Sequence, residues 1–181
     1  MKECINYLKI SGPDPYKKQL PDVDYLLDGG KTSVGVESTI IRLTDIGFQI
    51  LRNGIITKED VEAIIPFDQH TKMEELSAPG MLRSHYSPIK RVVIANKPNL
   101  NVDKSTAGLI SFSGRLEADF YKVIKVSDRK DLKDYAANMF EAMHTFEDDN
   151  SIEVIVAEPV EETGIGKAIM DRLFKAEYSW I

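Results

Sequence analysis

Ser38 and Thr39 close the run Gly35-Val36-Glu37-Ser38-Thr39, downstream of an Asp28-Gly29-Gly30 turn. Hydroxyls behind glycines suit contact with a small polar substrate. Strand alternation sends neighbouring side chains to opposite faces, so at most one of the two enters a given pocket, and Ser38 is read as that contact. Arg52 follows an expected strand from Phe48 to Leu51 and precedes Gly54, so its guanidinium could reach a phosphate or an adenine ring. Beyond Ala78-Pro79-Gly80-Met81, the stretch Arg83-Ser84-His85-Tyr86-Ser87-Pro88 combines a cation, an imidazole and a ring held by the following proline, which suits a flap over a bound nucleotide. Together these groups fit a nucleotide and amino-acid site. Each has a plainer reading: hydroxyls decorating a half-exposed strand, glycines in tight turns, a surface arginine, and His85 and Tyr86 docking a linker onto its own domain.

Other chemistries are excluded by what is missing. His70 and His144 have no metal-ligand spacing with each other, with His85 or with Cys4, and no phosphate loop of glycine, lysine and hydroxyl type occurs. A net charge of -6 argues against a general grip on nucleic acid. One cysteine makes no internal disulfide, and neither a signal-type segment nor a bilayer-spanning run is present, so the expected location is the cytoplasm with no membrane partner. Two anion-binding candidates remain, the first beside a plainer cap reading of Gly164. They are the helix opening at Gly164 and Gly166, disfavoured by Glu161 and Glu162, and Ser113-Gly114-Arg115 after a strand.

The elements that must position these groups are legible in the pattern. Val23 to Leu27 and Val36 to Leu43 read as a hairpin-like pair of strands, Phe48 to Leu51 as a further strand, and Thr57 with Asp60 as the capped start of a short helix that Pro66 must end. Asp68 to Ile89 loses periodicity and reads as a linker. Val92 to Ala95, Ala107 to Phe112, Val123 to Val126 and Ile152 to Ala157 are short apolar runs of the kind buried in a parallel sheet covered on both faces. Leu132, Tyr135, Ala136, Met139, Phe140 and Met143 form one helical stripe, and Ile165, Ala168, Ile169, Leu173 and Ala176 another. With 43% hydrophobic residues in 181, the chain can bury a core, and strands alternating with helices predict an open α/β sheet.

Taken in order, the motifs resemble the C-terminal part of Sua5-type L-threonylcarbamoyladenylate synthase, a larger relative of the YrdC enzymes of tRNA modification. The likeness runs from Ser11-Gly12 through Gly35 to Thr39, Ile50-Leu51-Arg52, Ala78 to Met81 and His85 to Pro88, and closes on Gly164 to Leu173. It implies an α/β architecture in three parts. Residues 1–67 form the C-terminal part of an incomplete YrdC-like segment, 68–90 a linker, and 91–181 a small Rossmann-like Sua5 domain with a mainly parallel sheet that folds independently. It implies synthesis of threonylcarbamoyl-AMP and pyrophosphate from threonine, bicarbonate and ATP for t6A formation, with Mg2+ expected and no tightly bound cofactor. By the same resemblance Ser38 contacts threonine, Arg52 the nucleotide, and Tyr86 closes over it, with the tRNA-modification machinery an indirect partner. The family's upstream lysine and arginine cluster has no counterpart here, and Tyr7, Leu8 and Lys9 stand where the family carries serine, alanine and asparagine. The expectation is a truncated chain, inactive alone, since a triphosphate needs a preorganised cationic site. A noncatalytic nucleotide-binding or regulatory module is the alternative. Strand edges left open are expected to pair with a second copy as a homodimer or to pack on residues 91–181.

Overall fold

The structure, a computed structural model, describes residues 33–71, 88–95 and 100–178. The expected strand from Val23 to Leu27, the motif from Ala78 to Met81, and His85 and Tyr86 lie outside the described residues. Strands β1 (Ile40–Thr44) and β2 (Gly47–Arg52) form an antiparallel hairpin in which Thr44 faces Gly47, Leu43 faces Phe48 and Ile40 faces Arg52. The register shifts between Ile40 and Ile41. The strand expected from Val36 therefore begins only at Ile40. Gly54 explains the delay: a Cβ there would lie 2.3 Å from the Thr39 nitrogen and 2.4 Å from the Glu37 oxygen, so backbone presses on backbone where a ladder would run.

Helix α1 (Lys58–Glu62) starts as the sequence requires. The Thr57 hydroxyl accepts from the Asp60 amide at 3.2 Å, and the Asp60 carboxylate accepts from the Thr57 amide at 2.8 Å. After it the chain returns along β2. The Phe48 amide donates to the Pro66 oxygen at 3.0 Å, the Asp68 amide to the Phe48 oxygen at 2.8 Å, and Gln49 Nε2 to the Thr71 oxygen at 2.6 Å. The first residues of the linker segment are thereby tied to the hairpin.

The second unit is a four-stranded sheet of β3 (Arg91–Ile94), β4 (Ala107–Ser111), β5 (Lys122–Lys125) and β6 (Val154–Ala157), ordered β3-β6-β4-β5 with every pairing parallel. In β3, β4 and β6 apolar residues fill the strands because the sheet faces there are covered, whereas β5 at the edge is only partly buried between Lys122 and Lys125. Helices α2 (Leu132–Glu147) and α3 (Ile165–Tyr178) cover one face, with Ile110, Ile155, Ala157, Tyr135, Met139 and Ile169 in a shared core. The other face carries Ala107, Leu109 and Val156 under Leu100, Val102 and Phe120, so loop side chains do there what helices do opposite. Between strands of the sheet, only the β5 to β6 connection holds an α-helix among the described residues. Gly108 is obligatory at its place, since a Cβ would sit 2.8 Å from the buried Phe146 ring.

The two units interlock. A Cβ at Gly35 would fall 1.9 Å from the Ala136 carbonyl oxygen and 2.5 Å from Ala137 Cα, so the approach to β1 lies directly on α2. Val36 is buried in the same core as α2 and α3, and Ile55 packs against it. At the other junction, Lys90 Nζ donates to the Phe146 and Asp149 carbonyls at 2.9 and 2.5 Å, a cation placed on the negative end of α2. No helix among the described residues is long and apolar enough to cross a membrane.

Candidate substrate site

Ser38 and Arg52 come together. Arg52 ends β2 and is only 8% exposed, and its Nε donates to the Ser38 carbonyl oxygen at 3.0 Å while its Nη2 donates to Ser38 Oγ at 3.0 Å. A guanidinium has donors and no acceptor, so Ser38 Oγ must accept, and its own hydrogen is left to point away from Arg52. Ser38 is exposed. A cation behind a hydroxyl hydrogen that faces solvent forms a donor suited to a carboxylate or another anionic oxygen. Ser38 and Thr39 lie ahead of β1, so strand alternation does not govern them, yet the Thr39 hydroxyl still turns elsewhere and donates to the Ile56 oxygen at 2.5 Å.

The residue before Ser38 is also held. Glu37 Oε2 accepts from Arg172 Nε at 3.1 Å and from Nη2 at 2.7 Å, while Arg172 Nη1 donates to Asp171 Oδ2 at 2.7 Å, which also accepts from Lys175 at 2.7 Å. Arg172 is fully buried and reaches Glu37 from α3, across 135 residues of sequence. The sequence reading passed over it, although a signal was present: Arg172 lies three residues from Ile169 and four from Ala168 and Ala176, within the apolar stripe.

Both anion-binding candidates of the sheet domain prove to be internally satisfied. The amides of Phe112 and Ser113 each donate to Glu158 Oε2 at 2.5 Å, and Ser113 Oγ donates to Oε1 at 2.8 Å, so a buried carboxylate fills the loop after β4. Gly164 adopts φ +50°, the left-handed region that favours glycine, and its carbonyl accepts from the Lys167 amide at 3.3 Å, which is the cap reading. Glu158's own carbonyl accepts from the Tyr135 hydroxyl at 2.6 Å. Burial, reinforced by the Glu158 charge, pushes that phenol far above the usual tyrosine range. An open depression of about 470 Å³ at the end of β5 is lined by Lys125, Ser127, Arg129 and Asp134, but Asp134 accepts from Ser127 at 3.0 Å and pairs with Arg129 at 3.6 Å. Asp134 and its two neighbours there answer one another.

Among the described residues no cluster of histidine, cysteine or carboxylate could hold a metal ion. Glu37, the acid nearest Ser38 in sequence, is engaged by Arg172, so the described site does not fit the magnesium ion that the resemblance implies, and no step is routed through one.

Residues 56–177 match the family model described as threonylcarbamoyl-AMP synthase, C-terminal domain. The chain belongs to this family. It is 33% identical over 172 residues to the threonylcarbamoyl-AMP synthase of Pyrococcus abyssi (strain GE5 / Orsay), covering 85% of this chain and 49% of that protein. It is 32% identical over 168 residues to the Bacillus subtilis (strain 168) protein of the same name, covering 83% and 48%. The crystal structure of P. abyssi Sua5 complexed with L-threonine superposes with a TM-score of 0.69 at 31% identity, over 88% of this chain and 51% of that one. A P. abyssi Sua5 variant with an adjacent histidine and tyrosine both changed to alanine gives 0.64 at 30% identity, over 83% and 47%. The chain spans about half the length of the curated relatives it matches. Within this threonylcarbamoyl-AMP synthase family chain, the domain match takes in the whole parallel sheet and α1, while Ser38 and Arg52 lie just ahead of it.

Proposed function

We propose that this chain carries the threonine-contacting part of a site that makes threonylcarbamoyl-AMP from threonine, bicarbonate and ATP, with release of pyrophosphate, for t6A formation on tRNA. One observation carries the reading: the Arg52 guanidinium, buried and donating to both oxygens of exposed Ser38, leaves the serine hydroxyl with its own hydrogen to donate beside a positive charge. That pair of features suits the carboxylate of an α-amino acid, and a relative with 31% identity was solved with L-threonine bound. Holding the carboxylate leaves the amino group free to react with bicarbonate with loss of water, and an oxygen of the carbamate so formed attacks the α-phosphorus of ATP as pyrophosphate departs. In this scheme Ser38 and Arg52 fix one end of the acceptor, and their work is positioning.

His85-Tyr86 is the one adjacent histidine and tyrosine in the sequence, and such a pair was the target of the P. abyssi variant. We assign Tyr86 to closure over the nucleotide on this ground together with the ring's chemistry. On the same reading we assign the protein to the cytoplasm. The test is calorimetric titration of the chain with L-threonine, alone and with AMP present. Ser38→Ala is expected to weaken threonine binding about tenfold, the loss of one hydrogen bond to a charged group, and Tyr86→Ala to weaken AMP binding while sparing threonine. Threonine binding equal in Ser38→Ala and the parent would refute the assignment of Ser38.

A further inference from the structure

We propose that Arg172, at the far end of the chain, is a positioning residue for the Ser38 hydroxyl, acting through Glu37; this rests on the reading of Ser38 as a threonine contact. Arg172 comes from α3 of the sheet domain and has no exposed surface. A buried ion pair is seldom the most stable filling for such a position, because well-packed apolar side chains of similar volume serve as well or better. Direction is what the pair adds. Nε and Nη2 both close on Glu37 Oε2, so the planar fork fixes where that carboxylate, and hence its backbone, can sit. Asp171 holds the remaining arm at Nη1 and is itself held by Lys175, so the fork cannot turn.

The next residue is gripped in the same way from the opposite unit. Arg52 donates to the carbonyl and the hydroxyl of Ser38, while Gly54 backs the peptide between them closely enough that a Cβ would lie 2.6 Å from the Ser38 carbonyl carbon. Two guanidiniums, one from the hairpin and one from the last helix, thus clamp consecutive residues. Without Arg172 the Glu37 carboxylate would lose both of these hydrogen bonds, and the Ser38 hydroxyl would lose part of the fixed direction that recognition of a carboxylate needs. The sheet domain would then contribute to amino-acid binding without touching the ligand.

The test separates positioning from stability by replacing the pair with an apolar couple of similar volume, Glu37→Met with Arg172→Met. The double variant is expected to melt close to the parent, since a buried pair exchanged for apolar bulk is near neutral, yet to bind L-threonine about tenfold more weakly. Arg172→Lys, which keeps the charge and loses the fork, is expected to show the same weakening at retained fold. Unchanged threonine affinity in both variants overturns the proposal. If the parent itself binds no threonine, the reading of Ser38 fails, and the proposal is then judged on the Arg52 Nε–H proton signal, whose exchange with water is slow while Ser38 holds it. Faster exchange in the double variant supports positioning, and an unchanged rate overturns it.

Discussion

Replacing Gly35 by alanine puts a methyl group where the structure has the backbone of another element. The new Cβ would lie 1.9 Å from the Ala136 oxygen, 2.5 Å from Ala137 Cα and 2.6 Å from the Ala136 carbonyl carbon, none of which is a flexible side-chain end. To bring the oxygen contact alone out to 3.0 Å, the strand approach and α2 must separate by 1.1 Å, the difference between 3.0 and 1.9 Å. Gly35 is absent from the positive-φ residues, so the cost is close approach and owes nothing to backbone conformation. Overpacking of this kind costs about 1–3 kcal/mol, and the upper end applies because both partners are main chain. For a chain of this size about 3 kcal/mol corresponds to a melting temperature lower by about 6–12 °C. The assay is thermal unfolding followed by far-ultraviolet circular dichroism. A second change, Ala136→Gly, should give no rescue, because the clash is with the Ala136 backbone and not its methyl. Separation at Gly35 also draws Val36 and Glu37 off the α2–α3 core, so exchange at the Ser38 and Thr39 amides should quicken. A Gly35→Ala protein that melts within about 2 °C of the parent would refute the reasoning.

The remaining predictions concern two polar groups. Tyr135→Phe leaves the Glu158 carbonyl buried without its hydroxyl donor and should lower stability by about 1–2 kcal/mol in urea, and in the parent this phenol should stay un-ionised when exposed tyrosines titrate near pH ~10. The Asp68 carboxyl is held well below the usual carboxylate range, first by the Thr71 hydroxyl and then by the Thr71 amide, with the His70 amide adding to them. Its folded pKa being depressed, the stability it contributes is complete above the unfolded value of about 3.9 and is lost as pH falls from there toward the lower folded value. The stability gap between the parent and Asp68→Asn should accordingly be flat above about pH 5 and shrink below about pH 4, and a gap independent of pH across that interval would contradict it.

Much of this arrangement was legible in the sequence because the signals were local. The Thr57 and Asp60 pair fixed the start of α1, Pro66 bounded its end, and the four apolar runs announced a parallel sheet before its strand order was known. The stripe from Leu132 to Met143 proved to be the buried side of α2. What escaped was long-range. Nothing near Val36 says that its strand starts only at Ile40, since the cause is Gly54 arriving from beyond the hairpin. Glu158 reads as one more acid after a strand, and only the fold brings it to the amides of Phe112 and Ser113. Arg172 was the recoverable miss, a charge at an apolar position of a helix, which in a folded chain demands a partner. In the candidate site, the pairing of Ser38 with Arg52 was expressible from sequence as two residues at neighbouring strand ends, but the direction of the hydrogen bonds, and so the orientation of the hydroxyl, was not.

Open α/β sheets ordinarily receive their ligands at the carboxyl edge, in the cleft where neighbouring connections diverge. In this molecule the berth between β4 and β6 is already stoppered from within by a glutamate that imitates the guest, two amides and a hydroxyl closing on its carboxylate. A visiting phosphate would have to evict a resident anion from a dry socket. Among the described residues, that stretch of the sheet's carboxyl edge is closed to an anion by the chain's own carboxylate.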